Sequence, residues 1–525
     1  MSQAATALSG RFGGVAAGHQ ATVDAAADVL AAGGNAFDAI IAGMATAAVA
    51  EPVLCSLGGG GFMLARPAGE PAVIYDFFMQ TPKRRPPVDA LDFYPVLADF
   101  GTTTQEFHIG LGSMATPGAV AGLFAIHADL GRMPLAELLA PAAALARRGL
   151  VMTDFQSYLF SVVAPIYVAR PESRAIFGSA EDSSTLKKVG ERLRNPELAD
   201  TLEALAAEGP RLFYEGELAR RLADDCRTGG GTLTLEDLAG YRLERRKPLG
   251  VDYRGCRLET NPPPSTGGLL VAFALALMAG DPAVADALGR DHVARLVSAM
   301  AVTNEARADH ASALVEDTAV ERLLDPELVA TYRHLRANHP LARRGTTHLS
   351  VIDVNGNAAA MTVSNGEGCG YIVPGSGIMM NNVLGEEDIN PAGFHRWPED
   401  VRMASMMAPT LLSDGQGRAT VLGSGGSNRI RTAILQSVVN LTDHGMGIAE
   451  AVEHPRLHLE SGLLNMEPGF SAAAQDAARG HVDRVQLWDG LNVFYGGVHA
   501  VRHDPEAGTF EAAGDPRRGG TARIV

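Results

Sequence analysis

The sequence predicts a mixed fold, α/β or α+β, and three observations lead there. Helical and strand blocks alternate along the chain. The texture changes from helix-rich to β-rich at residues 345/346. No short-period repeat is present, which argues against a solenoid or propeller. The break at 345/346 is the best internal boundary and divides the chain into segments 1–345 and 346–525.

Residues 20–50 read as two helices joined at AGGN, because alanine-rich apolar positions recur at helical spacing and Gly-Gly-Asn supplies a stop. CSLGGGGFMLARP (55–67) is a glycine-rich turn entering a strand. Residues 117–150 are again helical, broken by GRMP, and the polar stretch 170–196 is expected to be a surface excursion. Helices continue to about residue 226, strands surround YRGCRLETNPPPSTGG, and helices fill 285–337. RHLRANHPLARRG (333–345) is a basic, proline-broken connector. A hairpin, further strands and a helix at 429–443 follow.

The 525 residues are 46% hydrophobic and 20% charged, ordinary globular composition. A net charge of −16 speaks against nucleic acid or an anionic membrane as partner. Cys55, Cys226, Cys256 and Cys369 form no CxxC and read as reduced and structural. No signal peptide is visible at MSQAATALSGRFGG, and no apolar run is long enough to span a bilayer, so a cytoplasmic protein is expected. HEXXH and G-x-S-x-G are both absent, and nothing requires a metal or cofactor.

The stretch that carries chemistry is GTTHLSVIDVNGNAAAMTVSN (345–365). Asn355-Gly356 between two apolar runs is a strong hairpin signal, since a type I′ turn needs two residues tolerant of positive φ. A two-residue turn there pairs Val354 with Asn357, so that Thr347 faces Ser364 and Thr346 faces Asn365. A threonine hydroxyl needs a base to act as nucleophile. A threonine that begins a chain has one in its own α-amine, whose ordinary pKa is near ~8. Gly345 suits the self-cleavage that would create this terminus, because its carbonyl is unhindered and glycine tolerates strain. The glycine turn in LGSGGSNRIRT, just before a helix, offers converging N–H groups for developing negative charge, with Gly425, Gly426 or Ser427 as donors. No lysine follows as a phosphate loop would require.

Together, TTHLSVIDVNGNAAAMT, GSGIMMNN, RMASMMAPT and GSGGSNRIRTAILQSVVN resemble the successive motifs of the γ-glutamyltransferase family. Upstream, AAGGNAFDAIIAGMATAAVAEPVLCSLGGGGFML, ATPGAVAGL, LFYEGELAR, GGGTLTLEDLAGY and NPPPSTGGLL resemble its large subunit, so the likeness spans nearly the whole chain in order. The resemblance implies an N-terminal-nucleophile hydrolase with an αββα sandwich. It implies one chain self-cleaved between Gly345 and Thr346 into two associated fragments, with further pairing of such units left open. It implies Thr346 as nucleophile and Ser364 as its supporting hydroxyl. The turn at Gly425 and Gly426 becomes the oxyanion hole. Asn365, Glu386 (with Glu387 and Asp388 as neighbours) and Ser405 would bind substrate.

The family pattern fails at two places. DFFMQTPKRRPP (76–87) has Phe78 and Met79 where the family has Arg and Glu, and Pro87 at the carboxylate-binding arginine, with Arg84 and Arg85 as nearby substitutes. Met406 replaces the second carboxylate-binding serine. Loss of a buried bidentate contact costs about 2–5 kcal/mol. The function implied is therefore a γ-glutamyltransferase-like amidohydrolase or acyltransferase acting on a small-molecule amide, with water or an amine as acceptor. The alternatives are an acylase for a different acyl group, or an inert binding protein of the same fold.

Overall fold

The computed structural model describes residues 8–99, 104–310, 313–316, 318–332, 345–390 and 392–525. The basic connector lies outside them, Gly345 excepted. Thirteen strands build the two main sheets: β1 (Gly13–Ala17), β2 (Gly60–Arg66), β3 (Val73–Phe77), β4 (Glu244–Arg246), β5 (Leu249–Tyr253), β6 (Cys256–Thr260), β7 (Thr347–Asp353), β8 (Ala358–Ser364), β9 (Thr410–Asp414), β10 (Ala419–Gly425), β11 (Gly497–Asp504), β12 (Thr509–Ala513) and β13 (Thr521–Ile524). The first sheet has the order β13-β1-β7-β8-β2-β3-β4 and the second β12-β11-β10-β9-β6-β5. Strands from both sides of residue 345 contribute to each sheet and interleave in the first, so cleavage there would leave both fragments in one core.

Side-chain alternation explains the layering. On β7 and β8, Leu349, Val351, Ala359, Met361 and Val363 pack outward against helices α1 (Gln20–Ala31) and α2 (Ala36–Ala50). The alternate residues Ile352, Ala358 and Ala360 face the second sheet, with Leu258, Leu411, Val421 and Ala500. Helices α4 (Thr266–Met278), α5 (Arg290–Asp309) and α6 (Arg429–Thr442) cover the far side. A further helix, α3 (Asp154–Tyr167), lies outside the sandwich and packs with Val53, Leu54, Phe107 and Ile109. The result is the helix–sheet–sheet–helix sandwich the motifs imply.

The helix pair at 20–50 forms as expected. Asn35 caps α2 in a capping box with Asp38 and ties it to the Leu130 carbonyl. The stretch 170–196 is more than a surface excursion: it contains a helix at Pro171–Phe177 and buries Phe177, Leu186 and Leu193, whose apolar contacts outweigh the polar composition around them. All four cysteines are free thiols, three of them buried. No helix among the described residues is long and apolar enough to cross a membrane.

Candidate active site

The hairpin differs from the sequence expectation by one residue. β7 and β8 pair Thr347 with Val363 and Ile352 with Ala358. The connection is three residues, Val354-Asn355-Gly356, because Asp353 competes with the two-residue turn. Its carboxylate accepts the Asn355 and Asn357 N–H groups at 2.9 and 3.1 Å and the Asn357 amide at 2.7 Å. It also accepts the Ala36 N–H at 3.0 Å, which fastens the loop to the start of α2. Gly356, at φ +87°, takes the left-handed position of a three-residue hairpin loop. Continued to the root, this register sets Ser364 rather than Asn365 opposite Thr346.

The Gly345–Thr346 peptide is held on every side. Thr346 Oγ1 donates to the Gly345 carbonyl at 2.6 Å, and Ser364 Oγ donates to the same oxygen at 2.8 Å. Ser364 Oγ in turn accepts the Gly366 N–H at 3.0 Å. Upstream, the Gly345 N–H donates to Glu367. Downstream, Arg518 Nη1 donates to the Thr346 carbonyl at 3.0 Å. Thr346, Ser364, Glu367 and Arg518 are all buried. The end of β10 presses on the same carbonyl: a Cβ at Gly425 would stand 2.0 Å from the Thr346 oxygen, so only glycine fits there. Gly426 and Ser427 then turn with φ of +116° and +54° into α6, whose N-terminus favours negative charge.

A cavity of about 390 Å³ opens on this peptide, lined by Thr346, Ser364, Ser427, Glu386 and Ser405 with Phe78 and Met406. The other candidates lie elsewhere. Glu387 is exposed. Asn365 is buried and lies outside the cavity lining. Arg84 is exposed, 3.7 Å from Glu236. Arg85 reaches Glu399 at 3.6 Å and the His395 carbonyl at 3.3 Å. Neither arginine lines the cavity. Ile389, at the start of the loop that runs to residue 400, does line it. That segment is pinned by the Thr81 hydroxyl, which donates to the Pro398 carbonyl at 2.7 Å.

Three charged residues around the site carry no motif that singles them out in the sequence. Glu367 stands in the glycine-rich GEGCG, and its N–H donates to Asn382 of the NN pair at 2.9 Å. Arg518 ends DPRR, near the C-terminus. Glu51 follows α2 and accepts from Thr347 Oγ1 at 2.7 Å and Thr22 Oγ1 at 3.2 Å. Burial pushes its carboxyl up to about 7, against the pull of those hydroxyls and of Arg518. Burial also lowers Arg518, to about 10, and holds His348, two residues from Thr346, well below its usual range.

The γ-glutamyltranspeptidase family model matches residues 22–525. An acylase ACY 1 proenzyme of Pseudomonas sp. (strain V22) is 33% identical over 98% of this chain and 93% of its own. A glutathione hydrolase proenzyme of Escherichia coli (strain K12) is 31% identical over 95% of this chain and 90% of its own. The crystal structure of a cephalosporin acylase from Bacillus halodurans superposes with a TM-score of 0.85 at 26% identity, covering 100% of this chain and 97% of that one. With its sandwich, and with a match that runs through both segments, this chain belongs to the γ-glutamyltranspeptidase family of N-terminal-nucleophile hydrolases.

Proposed function

We propose that the protein is a self-processing acylase in which Thr346 is the nucleophile. The observation that carries the reading is the pair of hydroxyls, Thr346 and Ser364, converging on the Gly345 carbonyl. In the precursor, Thr346 Oγ attacks the Gly345 carbonyl carbon. The Gly345–Thr346 C–N bond breaks, the hydroxyl proton passes to the departing α-amine, and water hydrolyses the resulting ester. In the mature enzyme that α-amine takes the Oγ proton as Oγ attacks an amide donor, then delivers it to the leaving nitrogen. The oxyanion meets the turn at 425–427 and the α6 N-terminus. Water resolves the acyl-enzyme as a hydrolase, or an amine resolves it as a transferase.

The acyl cavity supports an acyl group other than γ-glutamyl. Among the described residues Glu386 is the one charged side chain in its lining, beside Phe78, Val383, Ile389, Met406 and Met407. Among the described residues, a γ-glutamyl carboxylate would meet that acid with Ser405 as donor and no guanidinium in the lining, an uncompensated buried charge. The presence of Glu386 and Ser405 in one cavity favours the second reading, a γ-glutamyl donor whose ammonium sits on Glu386. Matched anilides of γ-glutamyl, glutaryl and hexanoyl acids decide between them. The acylase reading expects kcat/KM for an apolar acyl group to exceed that for γ-glutamyl by about tenfold or more. A γ-glutamyl anilide turned over fastest would overturn it.

A further inference from the structure

Ser427, on the oxyanion turn, holds a conformation that serine rarely takes. Its φ is +54°, in the left-handed region, between Gly426 at φ +116° and Asn428 at φ −58°, ψ −22°. A left-handed residue beside a right-handed one turns successive N–H groups toward one point, the geometry of an anion nest. For a residue with a Cβ that geometry is strained, and it persists only where the surroundings impose it. Part of the constraint is backbone packing: a Cβ at Gly426 would stand 3.0 Å from the Gly496 Cα and 3.1 Å from an Arg518 nitrogen. The rest comes from the next residue in the chain. Asn428 is 2% exposed, its Nδ2 donates to Glu460 Oε1 at 2.8 Å, and its Oδ1 has no hydrogen-bond partner among the described residues. One hydrogen bond therefore fixes the side chain that follows the strained residue.

Glu460 is itself held firmly. It closes the short strand Leu457–Glu460, which lies between α5 and α6. Arg307 of α5 is 3.4 Å from Glu460 Oε1. His458 Nε2 stands 3.1 Å from Glu460 Oε2, and His458 Nδ1 stands 2.9 Å from Thr432 Oγ1 of α6. Asn304 of α5 donates to the Leu459 carbonyl at 2.9 Å and accepts from Arg431 of α6 at 2.5 Å. Burial would raise the Glu460 carboxyl, yet His458, Arg431 and Arg307 hold it below its usual range, so it stays an ionised acceptor. A buried ion cluster is a weak source of stability, because desolvation offsets the attraction. What this one fixes is position. Asn428, Glu460 and His458 lie outside the lining of the acyl cavity, while Ser427 lies in it. We propose that Asn428 is a positioning residue for the oxyanion turn, its tie to Glu460 holding Ser427 in the conformation that aims the turn's N–H groups at the tetrahedral intermediate. The assignment rests on the reading of Thr346 as nucleophile and adds the device that keeps its oxyanion turn in shape. The device serves substrate turnover rather than self-cleavage. In the uncut chain the turn presses on the Thr346 carbonyl, whereas the Gly345 carbonyl, where the self-cleavage oxyanion forms, already receives Ser364.

The test compares wild type with Asn428→Ala on the anilide that wild type hydrolyses fastest, and on the boronic acid that carries the same acyl chain. The boron bonds to Thr346 Oγ, the hydroxyl proton passes to the α-amine, and the adduct is a tetrahedral anion like the intermediate. Asn428→Ala is expected to lower kcat about ten- to a hundredfold with KM within about twofold, and to weaken the boronic acid by the same factor. The planar carboxylate product should bind within about twofold of wild type, and self-cleavage should run within about threefold. Thermal unfolding of each variant checks that it is folded. Should Asn428→Ala not fold, Asn428→Asp, close in shape but without the donor, is read in the same way. A wild-type kcat in the variant overturns the proposal, as does a loss shared equally by product binding and self-cleavage, which is what a merely structural role would give. Wild type that is cut and active while the variant matches it sinks this assignment alone. A wild-type chain that stays whole and hydrolyses no amide sinks the nucleophile reading as well.

Discussion

On one wall of the acyl cavity, Thr346, Ser364 and Ser427 stand at or just beyond the ends of core strands β7, β8 and β10. On the opposite wall, Phe78, Glu386, Ser405 and Met406 are carried by loops. The strand-borne wall carries the groups that the proposed acyl transfer uses, down to a glycine whose Cβ would strike the Thr346 carbonyl. The loop-borne wall sets Phe78 and Met406, where the family resemblance leads one to expect polar ligands, beside Glu386 and Ser405. Strand ends are fixed by ladder hydrogen bonds and by packing on both faces, so small changes there disturb the core. Loops tolerate exchange with little effect on the scaffold. The chemistry and the choice of substrate therefore sit on parts of the molecule with different freedom to change.

That contrast can be broken most sharply at the strand-borne wall. Thr346→Ala removes the nucleophile and is expected to abolish both self-cleavage and turnover, a loss of roughly three orders of magnitude or more. Gel mobility and anilide hydrolysis measure it, and survival of either activity contradicts the role. Next in size, Ser364→Ala removes one of two donors on the Gly345 carbonyl and should slow self-cleavage about a hundredfold. A time course of fragment appearance reads it. Glu367→Ala removes the charged acceptor of the Gly345 N–H, a contact of about 1.5–3 kcal/mol, and should slow the same step by about ten- to a hundredfold. Glu367→Gln, which keeps an acceptor oxygen, should restore much of the rate.

A smaller effect, on stability, comes from Glu51. Its carboxyl titrates near 7 in the fold against an ordinary value of 4.5. Between those values the fold binds more protons than the unfolded chain, so stability falls as pH rises. The contribution is fully present below about 4.5, is lost through pH 7 and is flat above it. Relative to Glu51→Gln, wild type should lose at most about 3 kcal/mol between pH 5 and pH 8, read from thermal unfolding at the two values. A gap between the two proteins that does not change with pH would contradict the buried titration. The smallest effect is expected at the loop-borne side. Arg84→Ala and Arg85→Ala should leave kcat/KM within about twofold, because exposed ion pairs contribute little. A tenfold loss would mean that one of them moves into the cavity when substrate binds.

Much of this was legible in the residues, because each signal was local. The helix pair around AGGN, the hairpin at Asn355-Gly356 and the glycine turn before α6 all announce themselves by short-range chemistry. The register was off by one because Asp353 takes up the turn's N–H groups, a side-chain competition that the Asn-Gly pattern hides. Glu51, Glu367 and Arg518 were not legible. They lie far apart in sequence, in or beside segments dominated by alanine or glycine or by paired arginines, and only the tertiary fold brings them to Thr346, Glu51 from the first segment and Glu367 and Arg518 from the second. Arg84 and Arg85 were legible as charges near a missing one, but proximity in sequence did not carry them to the cavity, since Glu236 and Glu399 offer partners at the surface.

The central claim is that Thr346 becomes a chain terminus and a nucleophile. Intact mass with N-terminal sequencing of freshly purified wild-type protein tests it most directly. Two fragments, the smaller beginning Thr-Thr-His-Leu-Ser, are the predicted result. A single chain that stays uncut on long incubation would contradict it.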